Sequence, residues 1–230
     1  MERLLRFSEA SDAAEGIGWR LLLGTLRTVV PVESMTRGVE AVGTAVTACG
    51  EHADGHLRAD VRPRRVVLTL QSPDQAAVTD VDTGLAHRIS EALRAAGMTT
   101  GPDVRTDAPH SVQVLELAID AMDIPAVRPF WKAVFGYVGE AGSDGPADAL
   151  VDPDFQGPPI WFQQMDQARP QRNRIHFDLC VPHDEALPRV EAALAAGGRL
   201  LSDQRAPAFW VLADPEGNEV CVTTWQGRQS

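Results

Sequence analysis

Glu116 and His176, in the second half of the sequence, have side chains suited to acid–base chemistry and lie inside short alternating stretches. Residues 115–120 and 176–181 each alternate apolar with polar side chains, a pattern typical of β-strands with one packed face. If the apolar side chains pack, Glu116 and His176 point to the opposite side. There either side chain can act as a general base on an acidic C–H bond or in an isomerisation.

Two further stretches, residues 160–163 and 219–223, alternate in the same way. Their apolar members are expected to pack, so their polar members join the same side of the sheet. Four side chains on that side are candidates for ligand binding: Trp161, Gln163, Asp178 and Cys221.

The same residues also have ordinary structural interpretations. His176 can be a half-buried histidine that is hydrogen-bonded to Asp178 or Glu116. Trp161 can pack in the core, and Cys221 can act as a small hydrophobic residue. Glu116 is harder to explain in this way, because an unpaired carboxylate is costly to bury and must face solvent or a pocket.

The elements predicted around these residues form one pattern that occurs twice. The first copy has a strand over 112–119, a helix over 125–135 and strand material ending at 160–164. The second copy has a strand over 174–181, a helix over 185–196 and strands over 209–212 and 219–224. Each copy is a βαβββ unit, and the repeat is one of structure rather than of sequence.

Three parts of this half resemble a known family: Asp123 with Phe130-Trp131 and Phe135-Gly136, then Asn173 to Leu179, then Asp214 to Glu219. Through them, residues 112–225 resemble the glyoxalase, bleomycin-resistance and extradiol-dioxygenase group, the vicinal-oxygen-chelate superfamily, and within it the glyoxalase-like domains of actinobacterial proteins. The turn at 214–219 also makes physical sense alone, because Pro215 fixes φ and Gly217 supplies a positive φ. The resemblance implies that paired βαβββ units form a cup that holds a ligand, often through a divalent metal.

The resemblance places the metal-ligand positions of the family on Glu116, Gln163, His176 and Cys221. Metal-dependent members usually have His, Gln or Glu at all of these positions, with a carboxylate where this chain has Cys221. A thiolate binds zinc, but such a mixed set is unusual for a catalytic zinc or for a hard cation. The sequence therefore favours ligand binding or metal-free catalysis, with a divalent metal as the alternative.

The first half has a different pattern. Strands are predicted over 19–23, 25–32, 57–61 and 65–70, and helices over 8–15, from 35 after the cap Ser34, and from 80 after the cap Thr79 to about Gly97. The order αββαββα predicts one sheet backed by helices, so the fold class of the whole chain is α+β.

Several segments of this half resemble pterin-4a-carbinolamine dehydratase, a small αββαββα enzyme that removes water from 4a-hydroxytetrahydropterins: Gly18-Trp19 and residues 29–32, 48–56, 66–70 and 78–82. The resemblance covers Trp19 to Gly97 and places a degenerate pterin site on Glu51, His52, His56 and Asp74. Of the three family histidines only His56 is retained, since Gly55 and Pro73 replace the others. Proline can serve neither as acid nor as base, so we expect an inactive domain.

Composition excludes several classes of function. The net charge of −11 disfavours nucleic acid and anionic membranes as partners, and no apolar run approaches the roughly 20 residues of a membrane span. The N-terminal residues lack the pattern of a secretory signal, and Cys49, Cys180 and Cys221 are widely spaced, which favours a reducing, cytoplasmic location.

We therefore expect a dehydratase-like domain at 1–100, a linker at 101–111 and a glyoxalase-like domain at 112–230. The expected function is small-molecule binding, or catalysis by Glu116 or His176, in the cup of the second domain. Two alternatives remain: an active 4a-hydroxytetrahydropterin dehydratase, and a metal-dependent lyase or isomerase. The resemblance also implies that the first domain forms a homo-oligomer.

Overall fold

The structure is a computed structural model that describes residues 2–102, 112–168 and 175–227. The chain divides into two units, Met1–Val114 and Leu115–Ser230. Residues 103–111 of the predicted linker lie outside the described residues, and so do Asn173 and Arg174 near the start of the predicted strand at 174–181.

The first unit has the predicted order αββαββα, with an added helical turn before its third strand. Its helices are α1 (Phe7–Glu15), α2 (Met35–Cys49), α3 (Ala53–His56), which follows a 3₁₀ turn at Gly50–His52, and α4 (Asp80–Ala95). Its strands are β1 (Arg20–Leu22), β2 (Thr25–Pro31), β3 (Leu57–Arg62) and β4 (Arg65–Leu70). The strands form one antiparallel sheet in the order β1-β2-β4-β3.

The core of the first unit lies on one face of this sheet. Leu26 on β2 is opposite Leu70 on β4, and both are fully buried. Helix α4 adds Leu85 and Ile89 to the same core. Burial of these side chains removes apolar surface from water and holds α4 against the sheet.

Helix α2 presents an unexpected face to solvent. The apolar spacing that predicts the helix runs through Met35, Val39, Val42 and Val46. Val42 is half-buried against the core, whereas the other three side chains are exposed. The buried face instead carries small residues, including Gly38 and Ala41. A Cβ at position 38 would lie 2.9 Å from a methyl group of the Val61 side chain on β3, so glycine permits this close approach.

The second unit contains the predicted βαβββ pattern twice. The first copy consists of β5 (Leu117–Ala121), α5 (Ile124–Phe135), β6 (Val138–Gly139), β7 (Leu150–Val151) and β8 (Ile160–Gln164). The second copy consists of β9 (Phe177–Cys180), α6 (Ala186–Ala195), β10 (Arg199–Ser202), β11 (Phe209–Ala213) and β12 (Glu219–Thr223). Among the described helices of the chain, none combines the length and apolarity needed to cross a bilayer.

Both copies pair their strands in the same way. The sheet orders are β5-β8-β7-β6 and β9-β12-β11-β10, and the first and last strands of each copy are parallel. Strand β5 starts later than predicted, at Leu117, whose N–H donates to the carbonyl of Pro159. Pro158 and Pro159 lack N–H groups, so the partner strand offers no donors to an earlier segment and Glu116 lies just before the ladder.

The turn before β12 is built as its sequence predicts. Gly217 has a φ of 96°, a conformation that glycine adopts without strain. Oδ1 of the buried Asp214 accepts the backbone N–H groups of Glu216 and Asn218 at 3.0 and 2.9 Å. These bonds fix the turn and thereby the start of β12.

Candidate functional site

His176, Asp178 and Cys221 come together on adjacent parallel strands. Asp178 on β9 is the register partner of Cys221 on β12, and His176 immediately precedes β9. One potential ligand atom from each of the three residues lies within 4.8 Å of the others. The neighbouring Val220 and Val222 are fully buried, so strand alternation turns Cys221 towards the opposite face.

This cluster forms part of the wall of a cavity of about 540 Å³, which we call the His176 cavity. The described lining residues are His176, Asp178, Arg205, Ala208, Phe209, Cys221, Thr223 and Gly227. Nε2 of His176 lies 3.7 Å from Oδ1 of Asp178, so the carboxylate charge is directed at the imidazole. Arg205 adds a positive charge to the wall, and Phe209 adds an aromatic surface.

Glu116 lies in a different cavity. That cavity, of about 740 Å³, is also lined by Trp131, Phe177 and the turn residues from Glu216 to Glu219. The expectation that Glu116 and His176 share one hollow is therefore not met among the described lining residues. Ala118 and Asp120, which alternate with Glu116 along the chain and are paired within β5, line the same cavity as Glu116, so this side of β5 faces away from the His176 cavity.

Trp161 and Gln163 alternate outwards from β8 as expected, but they line neither of these cavities. Trp161 is 37% exposed, and Nε2 of Gln163 donates to the carbonyl of Gln164 at 3.2 Å. The structure thus brings together His176, Asp178 and Cys221 from the candidate set. It leaves Glu116, Trp161 and Gln163 apart from them.

Glu116 instead raises the pKa of a second carboxyl group, that of Glu140. Burial raises the pKa of Glu140 above its ordinary value, and the negative charges of Glu116 and Asp148 raise it further. A site at which carboxylates face each other disfavours further negative charge.

The chemistry of the His176 cluster suits a metal ion in part. Imidazole nitrogen, carboxylate oxygen and thiolate sulfur are all zinc ligands, and three protein ligands leave a position for water or substrate. Their ligand atoms are close enough to share one ion after small side-chain adjustments. Glu116 and Gln163, the other positions implied by the family resemblance, do not join this donor set.

The proposed pterin positions of the first unit differ in burial. His56 is buried and its Nδ1 lies 2.9 Å from Oδ1 of Asp82, while the ring of His52 meets it edge-on at 5.7 Å. Glu51 and Asp74 are exposed. Asp82 and Glu2, which face the two ring nitrogens of His56, were absent from the predicted set.

Some site residues carried a sequence signal and others did not. Asp82 stands three residues after Thr79, the spacing of a capping box, and Asp82 Oδ2 accepts the N–H of Thr79 at 2.8 Å. Arg205 lies in the loop between β10 and β11, where no periodicity indicates the direction of a side chain.

Residues 116–223, within the second unit, match the family model described as a glyoxalase-like domain. No curated protein matches the chain.

Solved structures with a similar chain path come from several bacteria. A glyoxalase/bleomycin resistance protein/dioxygenase family enzyme from Burkholderia phytofirmans PsJN is 21% identical, with 47% of this chain and 95% of that chain covered and a TM-score of 0.39. The genomically encoded fosfomycin resistance protein FosX from Listeria monocytogenes is 12% identical, with 53% and 97% covered and a TM-score of 0.41. A glyoxalase-related enzyme from Fulvimarina pelagi is 20% identical, with 49% and 87% covered and a TM-score of 0.37.

Proposed function

We propose that the second unit binds a small anionic aromatic molecule in the His176 cavity. The observation that carries the proposal is the placement of Arg205 and Phe209 on the wall of one cavity together with the His176 cluster. The volume of about 540 Å³ suits a small molecule, since such sites typically measure about 300–1,000 Å³. The glyoxalase-like domain at residues 116–223 is consistent with this role.

The wall chemistry defines the ligand class. Asp178 faces His176, and Arg205 supplies a guanidinium that pairs with carboxylate or phosphate groups. Phe209, which is half-buried, offers a face on which an aromatic ring can pack. A single ring that carries one anionic group satisfies both features.

A pair of probes of similar size tests this class. Benzoate should raise the midpoint of thermal unfolding of the full chain in a concentration-dependent way, whereas the cationic benzylamine should not. Arg205→Gln should abolish the benzoate effect, and Arg199→Gln, at an exposed arginine on β10, should retain it. A benzoate shift of equal size in Arg205→Gln, or none in the wild type, would contradict the proposal.

A second candidate function is a metal-dependent lyase or isomerase of the glyoxalase type, which the donor set favours. His176, Asp178 and Cys221 would hold the ion. A zinc ion there supplies a Lewis acid that polarises a carbonyl oxygen. Arg205 would then orient the anionic end of the substrate, and Phe209 would restrict the position of its apolar part.

For the first unit, we propose a dehydratase-like fold without dehydratase activity. The order αββαββα supports the fold, and the exposure of Glu51 and Asp74, in contrast to the buried His56, supports the loss of activity. A carbinolamine pterin offered to the full chain should be dehydrated no faster than in buffer. Turnover that is abolished by His56→Ala would instead support the alternative of an active dehydratase.

We also propose that α2 pairs with α2 of a second copy. In its exposed stripe Val39 and Val46 flank Gly43, where a Cβ would meet open space, so an antiparallel crossing at Gly43 brings Val39 of one copy near Val46 of the other. The solution mass of the full chain should show a dimer, and Val39→Glu should convert it to a monomer. A wild-type chain that remains monomeric at high concentration rules the pairing out.

A further inference from the structure

In the first unit, the buried imidazole of His56 lies between two carboxylates. Its Nδ1 is 2.9 Å from Oδ1 of Asp82, and its Nε2 is 3.3 Å from Oε1 of Glu2. Asp82 is fully buried and His56 is 6% exposed, whereas the side chain of Glu2 is 30% exposed. Glu2 is therefore the member of this cluster that reaches solvent.

Hydrogen bonds favour the ionised form of Glu2. Burial raises the pKa of Glu2, but hydrogen bonds from Ser72, Thr79 and His56 together bring it below its ordinary value. A carboxylate only accepts hydrogen bonds, so Nε2 of His56 is the donor in its contact with Glu2.

Three donors converge on the carboxylate of Glu2. Besides Nε2 of His56, Oγ1 of Thr79 lies 3.1 Å from Oε2 of Glu2 and 3.0 Å from Oδ2 of Asp82, so its one proton is shared between two carboxylates. The side chain of Ser72 also bonds to Glu2. Thr79 is fully buried and Ser72 is 2% exposed. These donors are therefore held by the fold in an arrangement that matches an oxyanion.

The backbone that follows Glu2 is anchored to the start of α4, and the nearest bond runs from the N–H of Arg3 to Oδ1 of Asp80 at 2.9 Å. The N–H of Asp80 donates to the carbonyl of Arg3, and the N–H of Leu5 donates to the carbonyl of Val78, at 3.0 and 3.1 Å. Glu2 lies beyond the outer of these two bonds. Its side chain can therefore leave the donors while residues 3–5 keep both backbone bonds.

We propose that His56, Thr79 and Ser72 form a binding site for a small carboxylate, and that Glu2 is its internal competitor. All of these residues lie in Met1–Val114, so the proposal is independent of the ligand proposed for the second unit. The ligand class follows from Glu2 itself, because a ligand that displaces it must offer a carboxylate to the same donors. Arg58, which acts electrostatically on Asp82, and His52, which touches the ring edge, carry no carboxylate that could take this place.

Acetate tests the site in the full-length Glu2→Ala variant, with acetamide as a neutral probe of similar size. The ring signals of His56, assigned by their loss in His56→Asn, should shift saturably with acetate and not with acetamide. A tethered carboxylate competes at an effective concentration of order millimolar, so the variant should bind acetate about tenfold more tightly than the wild type, or more. Glu9→Ala, which removes a carboxylate that pairs with Arg3 and Arg6, should behave as the wild type does.

Two results would overturn the site itself: no saturable shift of His56 in folded Glu2→Ala, or equal shifts with acetate and acetamide. Equal acetate affinity in the wild type and in Glu2→Ala would overturn the competitor role of Glu2. If Glu2→Ala does not fold, Glu2→Ser removes the same carboxylate and provides the same test. Because the readout is His56, a failed benzoate experiment at Arg205 leaves this result unaffected.

Discussion

The indole N–H of Trp131 donates a hydrogen bond of 3.0 Å to Oδ2 of Asp214, and both residues are buried. Trp131 belongs to α5 in the first βαβββ copy, whereas Asp214 begins the turn that leads into β12 in the second. Because β12 carries Cys221, this bond links the two copies at the entrance to the strand that carries the candidate site.

Removing this bond should destabilise the second unit. Trp131→Phe leaves the buried Asp214 carboxylate without its indole donor and should lower the free energy of unfolding by about 1–3 kcal/mol. Denaturant unfolding measures the change. Trp161→Phe, at a tryptophan that is 37% exposed, should cost much less, and equal losses in the two variants would contradict this role for Trp131.

Glu216, in the same turn as Asp214, caps the start of helix α5. The two carboxylate oxygens of Glu216 accept the backbone N–H groups of Met122 and Asp123 at 2.9 and 2.6 Å. Glu216→Gln removes the charge and one acceptor, so it should lower the free energy of unfolding by about 0.5–1 kcal/mol. Unfolding of Glu191→Gln, at an exposed position on α6, provides the control and should be unchanged.

Glu140 should make stability depend on pH. Because its pKa is raised, the folded chain holds this proton more tightly than the unfolded chain does, and the associated stability is lost as pH rises from about 4.5 through the raised pKa. Glu140→Gln should therefore have a higher thermal midpoint than the wild type at neutral pH. The difference should shrink below pH 4.5. A midpoint below that of the wild type at neutral pH would contradict the burial and charge repulsion assigned to Glu140.

Zinc titration distinguishes the two cysteines of the second unit. If the His176 cluster holds a zinc ion, Cys221→Ser should weaken zinc binding by at least about tenfold. Mutations around metal sites typically reduce metal affinity by about 10- to 100-fold. Cys180→Ser, at an exposed position outside the cluster, should bind zinc as the wild type does. Equal affinity in both variants would show that zinc does not use Cys221.

The repeated βαβββ pattern was predictable because strand alternation and helix stops are local signals. Ile160 to Gln164 form the strand that the sequence predicts, and Gly136 ends α5 with a φ of 71°. The face that each strand buries also follows from alternation, as at Val220 and Val222.

The orientation of α2 was not predictable from the same kind of signal. Apolar spacing located the helix, but small residues at Gly38, Ala41 and Ala45 allow a closer approach to the sheet than the valines would. Because the face of small residues packs against the sheet, the exposed apolar residues of α2 stay on the solvent side. The apolar periodicity locates the helix but does not indicate which of its faces is buried.

The candidate site was predictable only where neighbouring strands determine it. His176, Asp178 and Cys221 meet because β9 and β12 are paired, whereas Glu116 lies on a strand that is not paired with either of them and lines another cavity. The contact between Glu2 and His56 joins distant parts of the chain through tertiary packing, for which no sequence periodicity exists.

The most direct test of the small-molecule site is an NMR titration of the full chain, labelled in its histidine rings, with benzoate. The proposed binding predicts a saturable shift of the His176 signals. His183, whose ring contacts Trp225 at 5.6 Å outside the described lining of the cavity, should remain unchanged. No saturable shift at His176, or a shift of the same size and midpoint at His183, would contradict the assignment of the His176 cavity as the ligand site.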